Sequence, residues 1–515
     1  MPLFGGIKVL SFADAMTNYF QGVSSHAVKA LSKTLHSNGV RTAIAEEGYI
    51  DIDYSASYYL QRARSFTPVE RATTRVHFFS RRLRTQPLYD SSPEFAHALS
   101  KPSVYLGYSV VRPGNPPTLG RTFIKPPHEV GGSTAFFPTR ASIPANLCGI
   151  SLKVEACPYL SQDQLVSACA TASLWMASNP LISKIRGVSE YSTADITRLA
   201  MALDRSFTPA IGGRGLRFDE MERVLLIMGY DPNLWQYPNP DTLIETCHIY
   251  VESGICPVLL ISLPQGRHAV TIVGYTMNTK IRRMLSNQDV PAIYSSTEFV
   301  PNLVLHDDQM GMYLQATIRK ITQTDIPSND KDALNCKAAI EIHHGHEVSV
   351  GCCMGLIVPF PSRVMLTGDG AMAQAVGRVR YWQSRGWLPK KDLVLRAFLV
   401  RSNLYKESLV QQRLDMPHLL TQVYRSLPMP RYIWVVEYGY LDDWRGSDIN
   451  QLRIRGELIL DSTLASNAWI APLSVHVPGW VDAREIISTD KDPDRYQLLD
   501  DSQGYRVFDL QLSRP

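Results

Sequence analysis

The stretch SQDQLVSACATASLWMASNPL carries a cysteine, Cys169, where a polar loop gives way to an apolar, helix-patterned run. A thiolate at a helix start is favoured by the helix dipole and by backbone amides with no partner inside the helix. Its neighbours Ala168, Ala170, Thr171 and Ala172 are small, which leaves the sulfur reachable. Further on, His268 opens the run HAVTIVGY, whose branched apolar residues predict a strand, a rigid mount for an imidazole. Asp307 and Asp308 close the next such run, NLVLHDD, and a carboxylate from either position would hold the far nitrogen of that ring. Gln162 and Gln164 lie upstream of the cysteine, and a side-chain amide from either would enter an oxyanion site. Thiol, base, orienting acid and oxyanion donor are the parts of acyl transfer through a thioester.

The elements that must position these groups follow from periodicity. In STADITRLAMALDRS, Ser192 and Asp195 form a capping pair ahead of Ile196, Leu199, Ala200 and Leu203 at helical spacing. GLRFDEMERVLLIMGY predicts a further helix with Met221, Val224, Leu225 and Met228 on one face and Gly229 as its stop. The pattern then changes to short apolar runs, GICPVLLISL, HAVTIVGY and NLVLHDD, which read as strands. Helices followed by strands predict an α+β domain. Nearer the N-terminus, Tyr19 to Ser37 reads as a helix stopped by Asn38 and Gly39, and SVYLGYSVVRP as a strand. RYIWVVEYGYL and GELILDSTL read as strands of a C-terminal α+β region.

The order of these motifs resembles the papain-like cysteine peptidases, particularly the bacterial branch that processes double-glycine leader peptides. The Cys-Gly-Pro-Ala-Ala/Ser stretch of that branch corresponds to Cys169-Ala170-Thr171-Ala172-Ser173 here. Its later Gly-to-Leu-Gly helix corresponds to Gly215 through Gly229, its Pro-Val strand to Pro257-Val258, and its histidine strand to His268 through Tyr275. Its Asp-Pro-x-x-Gly turn is similar to Asp307-Asp308-Gln309-Met310-Gly311, which favours Asp307 over Asp308 as the acid. The match spans roughly residues 155 to 320. Ala170 and Thr171 replace the glycine and proline after the nucleophile, and Asp308 replaces the proline of the acid turn.

The resemblance implies a papain-like core, a helix bundle packed on an antiparallel sheet, flanked by N- and C-terminal α+β domains. Pro/Gly clusters at 112–120 and 125–133 and the polar stretch 324–334 set the expected domains at 1–145, 146–328 and 329–515. The implied activity is a cysteine peptidase or amide hydrolase working on a peptide or protein through Cys169, His268 and Asp307, without a cofactor. The same groups would serve a transglutaminase- or deamidase-like acyl transfer. A degenerate scaffold of this kind would make a non-catalytic binding protein.

Composition narrows the setting. A net charge of +4 over 515 residues, with basic and acidic residues intermixed, gives no electrostatic case for nucleic acid or an anionic membrane. Arg71, Arg75, Arg81, Arg82 and Arg84 gather in one stretch and read as a solvated basic face. No apolar run is long enough to span a bilayer, and the N-terminus lacks the pattern of a secretory signal. Eight cysteines without paired spacing fit a reducing cytoplasm. EIHHGHEVSVGCC brings His344, His346, Cys352 and Cys353 together, but without zinc-finger spacing, so strand histidines and buried thiols are the reading there. TGDGAMAQAVGRVRYW lacks the Lys-Ser/Thr of a phosphate loop.

Overall fold

A computed structural model of the chain describes residues 6–59, 70–83, 93–114, 116–161, 169–182, 184–185, 188–203, 216–280, 291–411, 413, 415–446, 452–464, 472–483, 494–498 and 504–506. Contacts divide the chain into two units that interleave in sequence. Met1–Pro240, Ile255–Gly274 and Val304–Pro359 make the first, and Asp241–Gly254, Tyr275–Leu303 and Phe360–Pro515 the second.

The first unit opens with an antiparallel meander of β1 (Ile7–Ser11), β2 (Thr42–Tyr49), β3 (Thr73–Phe79), β4 (Tyr105–Arg112) and β5 (Thr118–Ile124), in that spatial order. All eight residues of β4 are buried, as its unbroken Val/Tyr-rich run implies. Between β1 and β2 lie α1 (Phe12–Tyr19) and α2 (Ser25–Ser37). The helix expected from Tyr19 to Ser37 therefore begins only at Ser25. Gly22, at φ +86°, turns the chain between the two segments, a conformation that side chains with a Cβ resist.

The central helices of this unit are α3 (Cys169–Ser178), α4 (Thr193–Leu203) and α5 (Phe218–Ile227). The capping pair at the head of α4 forms: the Asp195 amide donates to Ser192 Oγ at 3.1 Å, and the Ser192 amide to Asp195 Oδ2 at 3.1 Å. In α5 the buried face is Met221, Val224 and Leu225, each contributing about 1.5–3 kcal/mol of burial.

The strands that follow depart from the expected core. They are β6 (Val258–Leu263), β7 (Gly266–Met277), β8 (Leu303–Asp307), β9 (Gly311–Lys320), β10 (Ala338–His344) and β11 (Glu347–Val358). They pair in sequence order, and β11 then pairs back onto β6, with Leu259 opposite Leu356. The result is a closed six-stranded antiparallel barrel in a mixed α+β protein, and a papain-like core of a helix bundle on a sheet is not what the chain forms. The hairpin that closes the ring comes from beyond the polar stretch 324–334, so strands read as two separate regions share one barrel. A register shift between Leu260 and Ile261 bends the β6–β11 seam, as closure of a small barrel requires. β10 and β11 are joined through Gly345, at φ +69°, and His346 lies in this turn instead of sharing a strand face with His344.

The second unit is built on a sheet containing β12 (Leu393–Arg401), β13 (Tyr432–Tyr440), β14 (Gly456–Asp461), β15 (Ser474–Val477) and β16 (Trp480–Ala483) as successive neighbours. Short Ile293–Ser295 adds to β12 in parallel, and the rest of this path is antiparallel. Helices of this unit include α6 (Pro240–Glu252) and α7 (Gly368–Ser384), the latter capped by Thr367, whose side chain accepts from the Gly370 amide. No helix among the described residues is long and apolar enough to cross a membrane.

Candidate active site

Cys169 is the first described residue of α3 and is partly exposed, whereas Ala170 to Ser178 are all buried. A helix without a polar face must be enclosed by other elements, and here it is tied to β7. Ser173 Oγ donates to the Ala269 carbonyl at 2.9 Å, and Thr271 Oγ1 donates to the Ser173 carbonyl at 3.2 Å. These two bonds hold one turn of α3 beside the residues that follow His268, which fixes the helix start near the imidazole.

His268 lies within β7 and is 7% exposed. Asp307 Oδ1 stands 3.1 Å from its Nε2, and Asp308 Oδ1 stands 3.5 Å from the same atom. Neither oxygen lies along the ring N–H direction, so charge more than alignment joins the three groups. Burial alone would lower the His268 pKa. The Asp307 charge, close polar contacts with Asp307 and the Cys169 thiol, and the Asp308 charge outweigh it and hold the value well above the ordinary histidine range.

The two carboxylates are not equivalent. Burial would raise the Asp307 pKa, but His268 and the backbone amides of Gln309 and Met310, at 2.9 and 3.0 Å, lower it and keep the group ionised. Asp308 is fully enclosed, neither of its oxygens has a hydrogen-bond partner, and burial raises its pKa. Asp307 thus has the shorter contact and the solvation substitute that an orienting carboxylate needs. His268, Asp307 and Asp308 also offer three possible metal-ligand atoms within 4.8 Å of one another. An imidazolium between the two acids meets the same charge requirement.

The acid turn is seated on α2. Ser24 Oγ donates to the Gln309 carbonyl at 3.4 Å, and a Cβ placed on Gly311 would fall 2.5 Å from the Ala30 Cβ. In the sequence only the glycine of the DDQMG turn hints at so close an approach.

Cys169 and His268 open onto a cleft of about 480 Å³. Its apolar lining includes Phe218, Met221, Leu260 and Met354. At its rim Arg267 is tied to Asp330 and Asp332, at 2.8 and 2.6 Å. Gly355 also borders it, and a Cβ there would meet the Phe218 ring at 3.1 Å. Met354 and Gly355 of this wall belong to β11, which sequence order alone does not bring near Cys169. Gln162 and Gln164 lie outside the described residues.

The remaining sequence candidates disperse. Arg75 is paired with Glu46 at 2.5 Å and lies 4.1 Å over the Tyr49 ring, Arg71, Arg81 and Arg82 are exposed, and Arg84 lies outside the described residues. Cys352 and Cys353 are fully buried, with the Cys352 thiol donating to the Asp325 carbonyl at 3.0 Å. All eight cysteines are free thiols.

A scan against models of known protein families finds no match, and no curated protein matches the chain.

Proposed function

We propose that this protein is a cysteine hydrolase of peptide or other amide bonds, with Cys169 as nucleophile, His268 as base and Asp307 as the carboxylate that orients it. The observation that carries this reading is the His268 ring in contact with both the Cys169 thiol and Asp307, at the edge of a cleft. The thiol proton already rests on His268, as its raised pKa favours, and the Cys169 thiolate attacks the amide carbon. Backbone amides in the first turn of α3 face the developing oxyanion. The tetrahedral species collapses as His268 returns the proton to the leaving amine. Water then loses a proton to the same ring and attacks the acyl-thioester, releasing the acid and the free thiol. A peptide or protein is the proposed substrate, in a reducing compartment such as the cytoplasm, where the free thiols persist.

Alkylation of the folded chain by iodoacetamide tests the pair, read by peptide mass at each cysteine. Cys169 is expected to react fastest near neutral pH and to slow at least about tenfold in His268→Ala. Equal reactivity with the exposed Cys148 would remove the activated pair. Product mass identifies the acyl acceptor: water, or a second amine.

A further inference from the structure

A second cavity, of about 230 Å³, lies in the first unit between α2 and the barrel, away from the cleft just described. Lysine and histidine residues line it from two elements, with His26 at the start of α2. Lys29 and Lys33 lie one helical turn apart on α2, and His343 and His344 end β10. Neither lysine makes an ion pair among the described residues. Both ring nitrogens of His344 are shielded from solvent and have no hydrogen-bond partner. Ring nitrogens shielded from water and left without a partner mark a place where a polar group is missing. Burial also holds the His344 pKa below the usual range, so it brings an N–H donor while the lysines bring charge. Glu129 is the acid on the lining and is exposed; the nearby Glu347 is engaged by His26 at 3.4 Å.

We infer that this cavity binds a tetrahedral oxyanion, free phosphate or the phosphoryl group of a small phosphomonoester, and that its occupancy tunes the triad. Lysine ammonium groups and an imidazole N–H are the donors such an anion requires. The cavity is also lined by Met310 and Met312, which flank Gly311, and the Met310 amide is one of the two that hold Asp307. An occupant therefore bears on the turn that carries the acid. The binding half stands alone, and the regulatory half rests on the triad reading.

Calorimetric titration of the full chain at constant ionic strength tests the site, with inorganic phosphate, phosphoserine and, as a control, acetate. Saturable binding of phosphate or phosphoserine, weakened at least about tenfold in the Lys29→Ala/Lys33→Ala variant, is expected. Both lysines are exposed, so the variant keeps the fold. Tighter binding of phosphoserine than of phosphate identifies a phosphomonoester as the natural source, and the reverse identifies the free ion. Absence of saturation below about 10 mM, equal binding of acetate, or unchanged affinity in the variant overturns the site. The iodoacetamide rate at Cys169, measured with and without the anion, tests the coupling: a change in wild type that the double variant lacks supports it, and binding without any change overturns it. If Cys169 is no more reactive than Cys148 in either condition, the triad reading fails while the calorimetric result still stands.

Discussion

At the residue scale, the site pairs one imidazole with two carboxylates held in different states, and the difference is testable by removing each charge. Asp307→Asn leaves an amide beside His268 where the orienting charge stood. Turnover of an amide substrate is expected to fall by about 10³- to 10⁴-fold, with melting temperature little changed. Asp308→Asn removes a carboxyl that has no hydrogen bond, and turnover should stay within about tenfold of wild type. The pH dependence of stability gives the sign. A carboxyl whose folded pKa is raised binds its proton more tightly when folded, so the wild type loses stability as pH rises from about 4 toward the folded value. The Asn variant does not titrate there. Denaturant melts should show its stability relative to wild type increasing over that window, and a decrease would mean that Asp308 is held as a favourable anion.

At the scale of elements, α2 and the 307–311 segment approach closely at Gly311. Gly311 has φ +125°, and any Cβ there meets Ala30. Gly311→Val should cost about 1–3 kcal/mol in a thermal or urea melt and slow alkylation of Cys169, since both the backbone angle and the helix contact are disturbed. Retained reactivity at wild-type rate would show that the turn needs no support from α2. The closed barrel plays the matching part for His268. β7 is buried along all but its first two residues, with barrel strands on both sides and α3 tied to it, so the His268 backbone has little room to shift. Positions such as Val270 and Ile272 read as buried from periodicity alone, but what covers each face does not.

At the scale of the molecule, the second unit is organised around a buried chain of charges. Glu252 is bound by Arg396 at 2.5 Å, Arg396 also reaches Glu437 at 2.8 Å, and Arg413 joins Glu437 to Glu457, the latter at 2.9 Å. Tyr405 and Tyr505 add hydroxyl donors to Glu457 at 2.7 and 3.1 Å. Burial would raise the Glu252 pKa, but Arg396 and His248 bring it down to about 2. Its contribution is therefore present above the ordinary carboxylate range and is lost on acidification through the folded value. Arg413→Leu strips Glu437 and Glu457 of a shared cation and should destabilise this unit by about 3–5 kcal/mol, read as a lower urea midpoint. An unchanged midpoint would mean that the network tolerates a missing charge, contrary to its burial.

Local chemistry was legible without coordinates. The Ser192–Asp195 cap, the buried face of α5, the strand character of 258–263, 266–277 and 303–307, and the order of thiol, imidazole and acid all follow from side-chain type and spacing, because each depends on neighbours a few residues away. The helix expected to begin at Tyr19 failed for an equally local reason, the turn at Gly22. Closure of the barrel was decided only by the tertiary structure. An apolar strand announces that both its faces are covered, but the pairing of Leu259 with Leu356 is a choice among distant partners that periodicity does not encode. The same long-range choice put β11 into the cleft wall and α2 under the acid turn. It also separated Asp307 from Asp308: the residues are adjacent in sequence, and their surroundings leave one ionised and raise the pKa of the other.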